Sequence, residues 1–331
     1  MAINGFGRIG RAALKIAIKN KDLDLVAIND LTDNKTLAHL LYRDTVYGAW
    51  EETVTSDDKN IIVGGKSILS LAEKDPGMLP WKDLGIDIVL DCTGIFLTKE
   101  TAAKHLQAGA RKVVLSAPPK DDSVPTYVLG VNSEEYRKNK EKIVSNSSCT
   151  TNCITPVMAI LQKHFKVQKS MMITAHSYTA DQNLVDGPHR DLRRARAAAQ
   201  NIVPTTTGAA ISTTKIIPEL AGKFDGLAIR VPTPVVSIAD ITAVLAKSTT
   251  AGEINEIFTN EAAAKNWQGI LAVSNEPLVS SDLIKNPYSS IIDLALTKVV
   301  DGNLIKVVAW YDNEWGYANR LVELAKLIAE N

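Results

Sequence analysis

A chain of 331 residues, 45% of them hydrophobic, exceeds what one core usually covers, so two domains are expected. Lys plus Arg and Asp plus Glu balance at 37 each, which excludes a general field for gathering nucleic acid or an anionic membrane and leaves partners to be recognised locally. Three cysteines are too few for a secreted disulfide framework, no apolar run nears the ~20 residues that span a bilayer, and no signal-peptide core opens the chain; a soluble, unprocessed, cytoplasmic protein is expected.

Ile3-Asn4 closes a short apolar segment, Gly5-Phe6-Gly7-Arg8-Ile9-Gly10 follows, and the next stretch places Ala13, Leu14, Ala17 and Ile18 at helical spacing. Strand, glycine turn and helix in this order let a backbone approach a pyrophosphate at the positive end of the helix. A second apolar run, Leu25-Val26-Ala27-Ile28, ends at Asn29-Asp30. Asp30 stands at about the 20-residue spacing from which an acid reaches a ribose 2′-hydroxyl. Further strand-like runs lie at Ile86 to Leu90, Lys112 to Leu115 and Tyr127 to Val131, with a helix from near Thr98 that Gly109 closes. The loops Cys92-Thr93-Gly94 and Ser116-Ala117-Pro118 leave strand ends, where open α/β sheets bind ligands. Each reads equally well as an ordinary turn of small residues.

Ser147-Ser148-Cys149-Thr150-Thr151-Asn152-Cys153 surrounds a cysteine with hydroxyl and amide groups. Donors, a helix start and a nearby histidine all favour a thiolate. Beyond it the texture changes to long β-prone runs at Met171 to His176, Leu227 to Val231, Val235 to Leu245 and Lys306 to Tyr311, which suggest a largely antiparallel sheet with helices on one side. A closing helix from about Trp315 carries Ala318, Leu321, Val322, Ala325 and Ile328. His176 ends a strand and is the best-placed base for Cys149; the other histidines, His39, His105, His164 and His189, read as satisfied surface or core groups. Ser148 with Thr150, Thr179, Thr205-Thr206-Thr207-Gly208 and Arg230 suit anions, although each alone also fits a cap or a turn. The basic run from His189 to Arg196 lacks aromatics and fits a solvated or intersubunit face, with one arginine reaching substrate. Cys149 and Cys153 share a helix face, but nothing completes a metal site, and Cys92 reads as a buried small residue.

Asn4 to Gly10, Ser147 to Cys153, His176-Ser177-Tyr178-Thr179 and Trp310-Tyr311-Asp312-Asn313-Glu314 together resemble the phosphorylating glyceraldehyde-3-phosphate dehydrogenases, over nearly the whole chain. The resemblance implies an α/β plus α+β protein. A Rossmann-type NAD-binding domain would span residues 1–148, joined by a C-terminal helix at 314–331, with a mainly antiparallel catalytic and oligomerisation domain at 149–313. It implies that Cys149 attacks the aldehyde of glyceraldehyde 3-phosphate, that His176 takes the proton, and that a thioester is then cleaved by inorganic phosphate. It places substrate phosphate near Thr179, Arg230 and Arg194, and attacking phosphate near Ser148, Thr150, Thr207 and Gly208. The cofactor would meet Gly5, Gly7, Arg8, Ile9 and Gly10 at its pyrophosphate, Asp30 at the adenosine ribose, Lys74, Thr93 and Ser116 elsewhere, and Asn313 at the carboxamide. The loop from Thr179 to Asn201 resembles the segment at the centre of a homotetramer.

Asp30 would repel a 2′-phosphate and Leu31-Thr32-Asp33 supplies no basic pocket, so NAD is expected over NADP. Departures from the family pattern are a first strand cut short at Met1-Ala2-Ile3, Ala180 where Asn is frequent, and Ile211 where Lys is common. Three rivals remain: erythrose-4-phosphate dehydrogenase, in which the thioester is hydrolysed; a cofactor-free cysteine hydrolase or acyltransferase; and an RNA-binding protein, against which the neutral charge argues.

Overall fold

Short aliphatic strands pair in parallel where both faces are covered, and residues Ala2–Asn4 (β1) do so on both edges, between Ala27–Asn29 (β2) and Ile88–Asp91 (β8). The first strand is three residues long, all buried, and fully paired despite its brevity. The computed structural model describes residues 1–330. They divide into two units: one of residues 1–127, 132–147 and Ala318 onward, the other of residues 128–131 and 148–317.

In the first unit, β1 leads to α1 (Arg8–Ala17), β2, α2 (Asn34–Tyr42) and a small hairpin of β3 (Arg43–Asp44) and β4 (Gly48–Ala49). A meander of β5 (Val54–Ser56), β6 (Asn60–Val63) and β7 (Lys66–Leu71) precedes β8, α3 (Lys99–Gln107), β9 (Lys112–Leu115), α4 (Tyr136–Asn139) and β10 (Ile143–Ser145). The sheet order is β10-β9-β8-β1-β2-β7-β6-β5, parallel except for the β5-β6-β7 meander. The chain runs from β1 outward in one direction and later returns to the other side, so the strand order reverses beside β1. That reversal is where open sheets of this kind bind ligands. Thr98 caps α3 through the Thr101 N–H, and Gly109, at φ +105°, ends it as its sequence position predicts. Trp81, Ile86, Val89 and Leu79 pack with Ala2 and Ala27 into one core cluster of this unit.

In the second unit α5 (Cys149–Phe165) leads into β11 (Val167–Ser177), then β12 (Val203–Thr205), α6 (Ala209–Ile216), β13 (Phe224–Val231), β14 (Ser237–Leu245) and α7 (Ala251–Ala263). Four shorter or later strands follow: β15 (Leu271–Ser274), β16 (Ser290–Asp293), β17 (Lys298–Val300) and β18 (Leu304–Tyr311); α8 (Trp315–Ala329) begins here and continues in the first unit. The sheet order is β12-β13-β11-β14-β18-β16-β15, with β17 on β18. The pairings are mainly antiparallel, but β11 runs parallel to β13 and β15 to β16. Ile154, Val157, Met158 and Leu161 of α5 pack with Met172, Ile241, Val307 and Phe258. Each such fully buried side chain contributes about 1.5–3 kcal/mol.

Residues 127–131 do not form the strand that their β-prone composition suggests. Only Thr126 bridges Ser145, and the chain then turns, with Val131 N–H donating to the Val128 carbonyl at 3.1 Å and Gly130 at φ +82°. The segment from Thr179 to Asn201 contains no helix or strand. It is nonetheless pinned by backbone bonds, Gly187 N–H to Ala195 O at 3.0 Å and Ala198 N–H to Asn183 O at 3.0 Å.

Candidate active site

The glycine turn after β1 is shaped by two different constraints. Gly5 has φ +88°, and a Cβ there would lie 2.7 Å from the Thr93 nitrogen; a Cβ on Gly10 would lie 2.2 Å from the Gly5 carbonyl oxygen. Protein packing therefore demands both. At Gly7 a Cβ would meet nothing within 4 Å, so the protein's own packing does not require a glycine there. Gly7 is also the N-cap of α1, with no side chain capping the helix, the arrangement that receives a phosphate.

A cavity of about 540 Å³ adjoins this turn, lined by Gly5, Gly7, Asp30, Lys74 and Thr93 among the expected residues, together with Asn4, Asn29, Leu31, Glu73, Cys92, Ile95 and Phe96. Asp30 is held in place by the Phe6 N–H at 2.8 Å and the Thr32 N–H at 3.0 Å. Arg8, Ile9 and Gly10 form the first turn of α1, and the Arg8 side chain turns aside to pair with Asp44 at 3.2 Å. Ser116 lies outside this lining, at the end of β9, where its N–H donates to the Asp91 carbonyl at 2.9 Å and its side chain bonds Cys92. Burial, then Asp91, pushes the Cys92 thiol up to about 12, which leaves it inert. Cys92 is thus a wall of the cavity rather than a core residue. Sequence reasoning also missed Asn4 and Asn29, although both stand at strand ends next to predicted site residues.

In the second unit Cys149 is the first residue of α5. Ser147 precedes it at φ +56°, a left-handed conformation, and Ser148 caps the helix by accepting the Thr151 N–H at 3.0 Å. Cys149 Sγ lies 3.4 Å from His176 Nε2. His176 Nδ1 lies 2.7 Å from the Ser177 carbonyl oxygen, which can only accept, and 2.9 Å from Arg230 Nη1, which can only donate, while Nε2 faces sulfur. Arg230 Nη1 donates to the same carbonyl at 3.0 Å. Burial, then Arg230, pushes the His176 imidazole down to about 3, and burial pushes the Cys149 thiol up against the pull of Arg230 and Thr150. Neither group carries a charge alone.

Around the pair, Thr150 is buried and its hydroxyl is engaged with Tyr311 Oη at 2.9 Å, which bonds Thr174 at 2.8 Å. The Thr150 side chain is therefore not displayed to an anion as the sequence suggested. Tyr311, missed as a site residue, also packs edge-on to His176 at 6.0 Å between ring centroids. Arg194 reaches the Thr205–Gly208 turn, donating to Thr205 Oγ1 at 2.9 Å and the Thr206 carbonyl at 3.3 Å, with Asp181 on its other side. Thr207 Oγ1 accepts the Ala209 N–H at 3.2 Å, and Gly208 is exposed at the start of α6. Thr179 lies where its N–H meets Gln182 Oε1 at 3.3 Å, and Tyr178 N–H bonds the Thr233 carbonyl at 3.1 Å. Three buried polar atoms on these neighbouring segments have no partner: Arg230 Nε, Gln182 Nε2 and Thr233 Oγ1. Asn313 Oδ1 accepts from Ser177 Oγ at 3.0 Å and Ser237 Oγ at 2.9 Å, which orients its amide nitrogen as a donor. Among the described residues no cluster of His, Cys, Asp and Glu could hold a metal ion, and no helix is long and apolar enough to cross a membrane.

Two family profiles match the chain: "Glyceraldehyde 3-phosphate dehydrogenase, NAD binding domain" over residues 1–99 and "Glyceraldehyde 3-phosphate dehydrogenase, C-terminal domain" over residues 148–313. The chain is 51% identical over 329 residues to the glyceraldehyde-3-phosphate dehydrogenase of Geobacillus stearothermophilus, covering 99% of this chain and 98% of that one. It is 49% identical over 330 residues to glyceraldehyde-3-phosphate dehydrogenase 1 of Bacillus subtilis, covering 100% and 98%. A chloroplastic glyceraldehyde-3-phosphate dehydrogenase of Arabidopsis thaliana is 50% identical over 334 residues, covering 100% of this chain and 84% of that one.

Proposed function

The chain belongs to the glyceraldehyde-3-phosphate dehydrogenase family, and on that premise we propose that Cys149 and His176 carry out the NAD-dependent oxidation and phosphorylation of D-glyceraldehyde 3-phosphate to 1,3-bisphosphoglycerate. The carrying observation is the 3.4 Å contact between Cys149 Sγ and His176 Nε2, at the start of a helix. NAD is the cofactor. Its nicotinamide supplies the hydride acceptor when bound.

The open space at Gly7, the uncapped start of α1 and the Asp30 carboxylate fit a dinucleotide. Gly5, Gly7 and the first-turn amides of Arg8, Ile9 and Gly10 would take the pyrophosphate, and Asp30 the ribose hydroxyls. Lys74, Thr93 and Ser116 would complete that half, and the oriented amide of Asn313 would donate to the carboxamide. In the second unit His176 takes the thiol proton as sulfur bonds the aldehyde carbon. The imidazolium then donates to the carbonyl oxygen as it gains charge, and His176 takes that proton back as the former aldehyde hydrogen leaves the carbon as hydride to the acceptor and the carbonyl re-forms in the thioester. Inorganic phosphate attacks the thioester carbon and expels the Cys149 thiolate, which regenerates the pair. Thr179 and Arg230, with the unpartnered donors beside them, fit the substrate phosphate. Arg194 helps at that site, and Thr207 and Gly208 fit the attacking phosphate, with Ser148 and the Thr150 backbone as further donors.

NADH formation from the aldehyde should depend on inorganic phosphate, prefer glyceraldehyde 3-phosphate to erythrose 4-phosphate and NAD to NADP. Steady turnover without phosphate would favour the hydrolytic rival, and equal use of NADP would remove Asp30 from the ribose. The native particle is proposed as a homotetramer in the cytoplasm. Leu184, Val185 and Leu192, each at least 75% exposed within the 179–201 segment, support an assembly that covers them.

A further inference from the structure

Behind the cavity of the first unit lies a buried polar chain that the reaction does not use. Trp81 and His105 are 0% exposed, Asp91 1% and Asn4 2%. Trp81 Nε1 lies 3.0 Å from His105 Nδ1. An indole nitrogen only donates, so Nδ1 accepts and the His105 proton sits on Nε2, which donates to Asp91 Oδ2 at 3.0 Å. The direction then propagates. Asp91 Oδ1 accepts the Thr93 N–H at 3.1 Å and the Thr93 hydroxyl at 2.6 Å, and Thr93 Oγ1, its own proton committed, accepts the Ile95 N–H at 3.1 Å.

A second branch leaves Asp91 Oδ2, which accepts from Asn4 Nδ2 at 3.1 Å, while Asn4 Oδ1 accepts from Asn29 Nδ2 at 2.7 Å. Asn29 is fixed from its far end by the Glu73 backbone, donating to its carbonyl at 2.8 Å and accepting its N–H at 2.8 Å. The two branches of the chain share Asp91 Oδ2, to which Asn4 Nδ2 and His105 Nε2 both donate while lying 3.3 Å from each other. Its ends, Thr93 with Ile95 and Glu73, belong to the cavity lining, whereas Trp81 and His105 do not. Buried networks with every member satisfied rigidify what they touch.

We propose that His105 and Trp81 are positioning residues for NAD, holding both walls of the cofactor cavity through Asp91 while touching no ligand. The proposal rests on the reading of this cavity as the cofactor site. Replacing His105 by Leu leaves the Trp81 N–H unpaired in the interior and Asp91 Oδ2 held by Asn4 alone, so the carboxylate that anchors the Thr93 loop loses one of its supports. The test is calorimetric titration of the purified enzyme with NAD, beside KM for NAD and for the aldehyde. His105→Leu should weaken NAD binding about tenfold, the order expected for a buried group left unsatisfied, and leave the aldehyde KM at saturating NAD within about twofold. His105→Gln, whose amide can donate to Asp91 and accept from Trp81, should bind NAD within about threefold of wild type. Trp81→Phe should weaken it. Unchanged NAD affinity in His105→Leu, even with a lowered melting temperature, overturns the proposal; if that variant does not fold, unchanged affinity in Trp81→Phe does so. An Asp30→Asn variant that binds NAD like wild type would instead remove the cavity assignment itself.

Discussion

At the scale of single residues the decisive fact is the direct contact of His176 Nε2 with Cys149 Sγ, while Nδ1 is held between the Ser177 carbonyl and the Arg230 guanidinium. Cys149→Ala should abolish turnover while NAD binding stays near wild type, since Cys149 is not among the residues lining the cavity at the glycine turn; residual oxidation of the aldehyde would rule out the nucleophile. His176→Asn should slow hydride transfer by about 10²–10⁴. It also removes the group that takes the thiol proton, so the thiolate loses the imidazolium as its counter-charge and forms less readily. Because alkylation follows the thiolate, the pH profile for iodoacetamide should move to higher pH, with a lower rate at pH 7. An unmoved profile means the histidine does not activate the thiol. Cys149 and His176 were legible because one sits in a hydroxyl-rich turn and the other ends a strand. The commitment of Thr150 to Tyr311 was not, since it joins the start of α5 to the end of β18 and no local pattern records it.

Among the elements, the β1–α1 unit separates glycines kept for packing from one kept for ligand. Gly10→Ala should cost about 1–3 kcal/mol by urea unfolding, because its Cβ would press into the Gly5 carbonyl. Gly7→Ala, in open space, should leave the midpoint unchanged and weaken NAD by about tenfold or more, since only the pyrophosphate is obstructed. Reversal of these two effects would mean that the turn is not a phosphate cradle. This turn, both flanking strands and the closing helix were readable because apolar periodicity and punctuation agree there. The small strands from Arg43 to Leu71 were not read, being two to six residues long, and most of their residues are not buried. At Tyr127 to Val131 composition misled, because Gly130 turns the chain where β-prone residues suggested extension.

For the whole molecule, a neutral charge balance and two units with separate tasks agree with an enzyme that recognises small anions locally. The exposed leucines of the 179–201 segment give its assembly a direct test. Leu184→Asp with Leu192→Asp should lower the native mass seen by sedimentation, and a monomeric wild type would sink the tetramer. The parallel pairing of β11 with β13 inside a mostly antiparallel sheet was beyond sequence reading, because strand direction depends on how intervening segments return. Helix α8 carries a different consequence. Ala318, Leu321, Val322, Leu324, Ala325 and Ile328 are all buried, yet this part of the helix belongs with residues near the start of the chain. A ribosome working at about 5–20 residues per second makes the intervening second unit in roughly 10–30 s. Throughout that interval the nascent first unit lacks its final helix, so the apolar surface that α8 buries stays uncovered until synthesis ends.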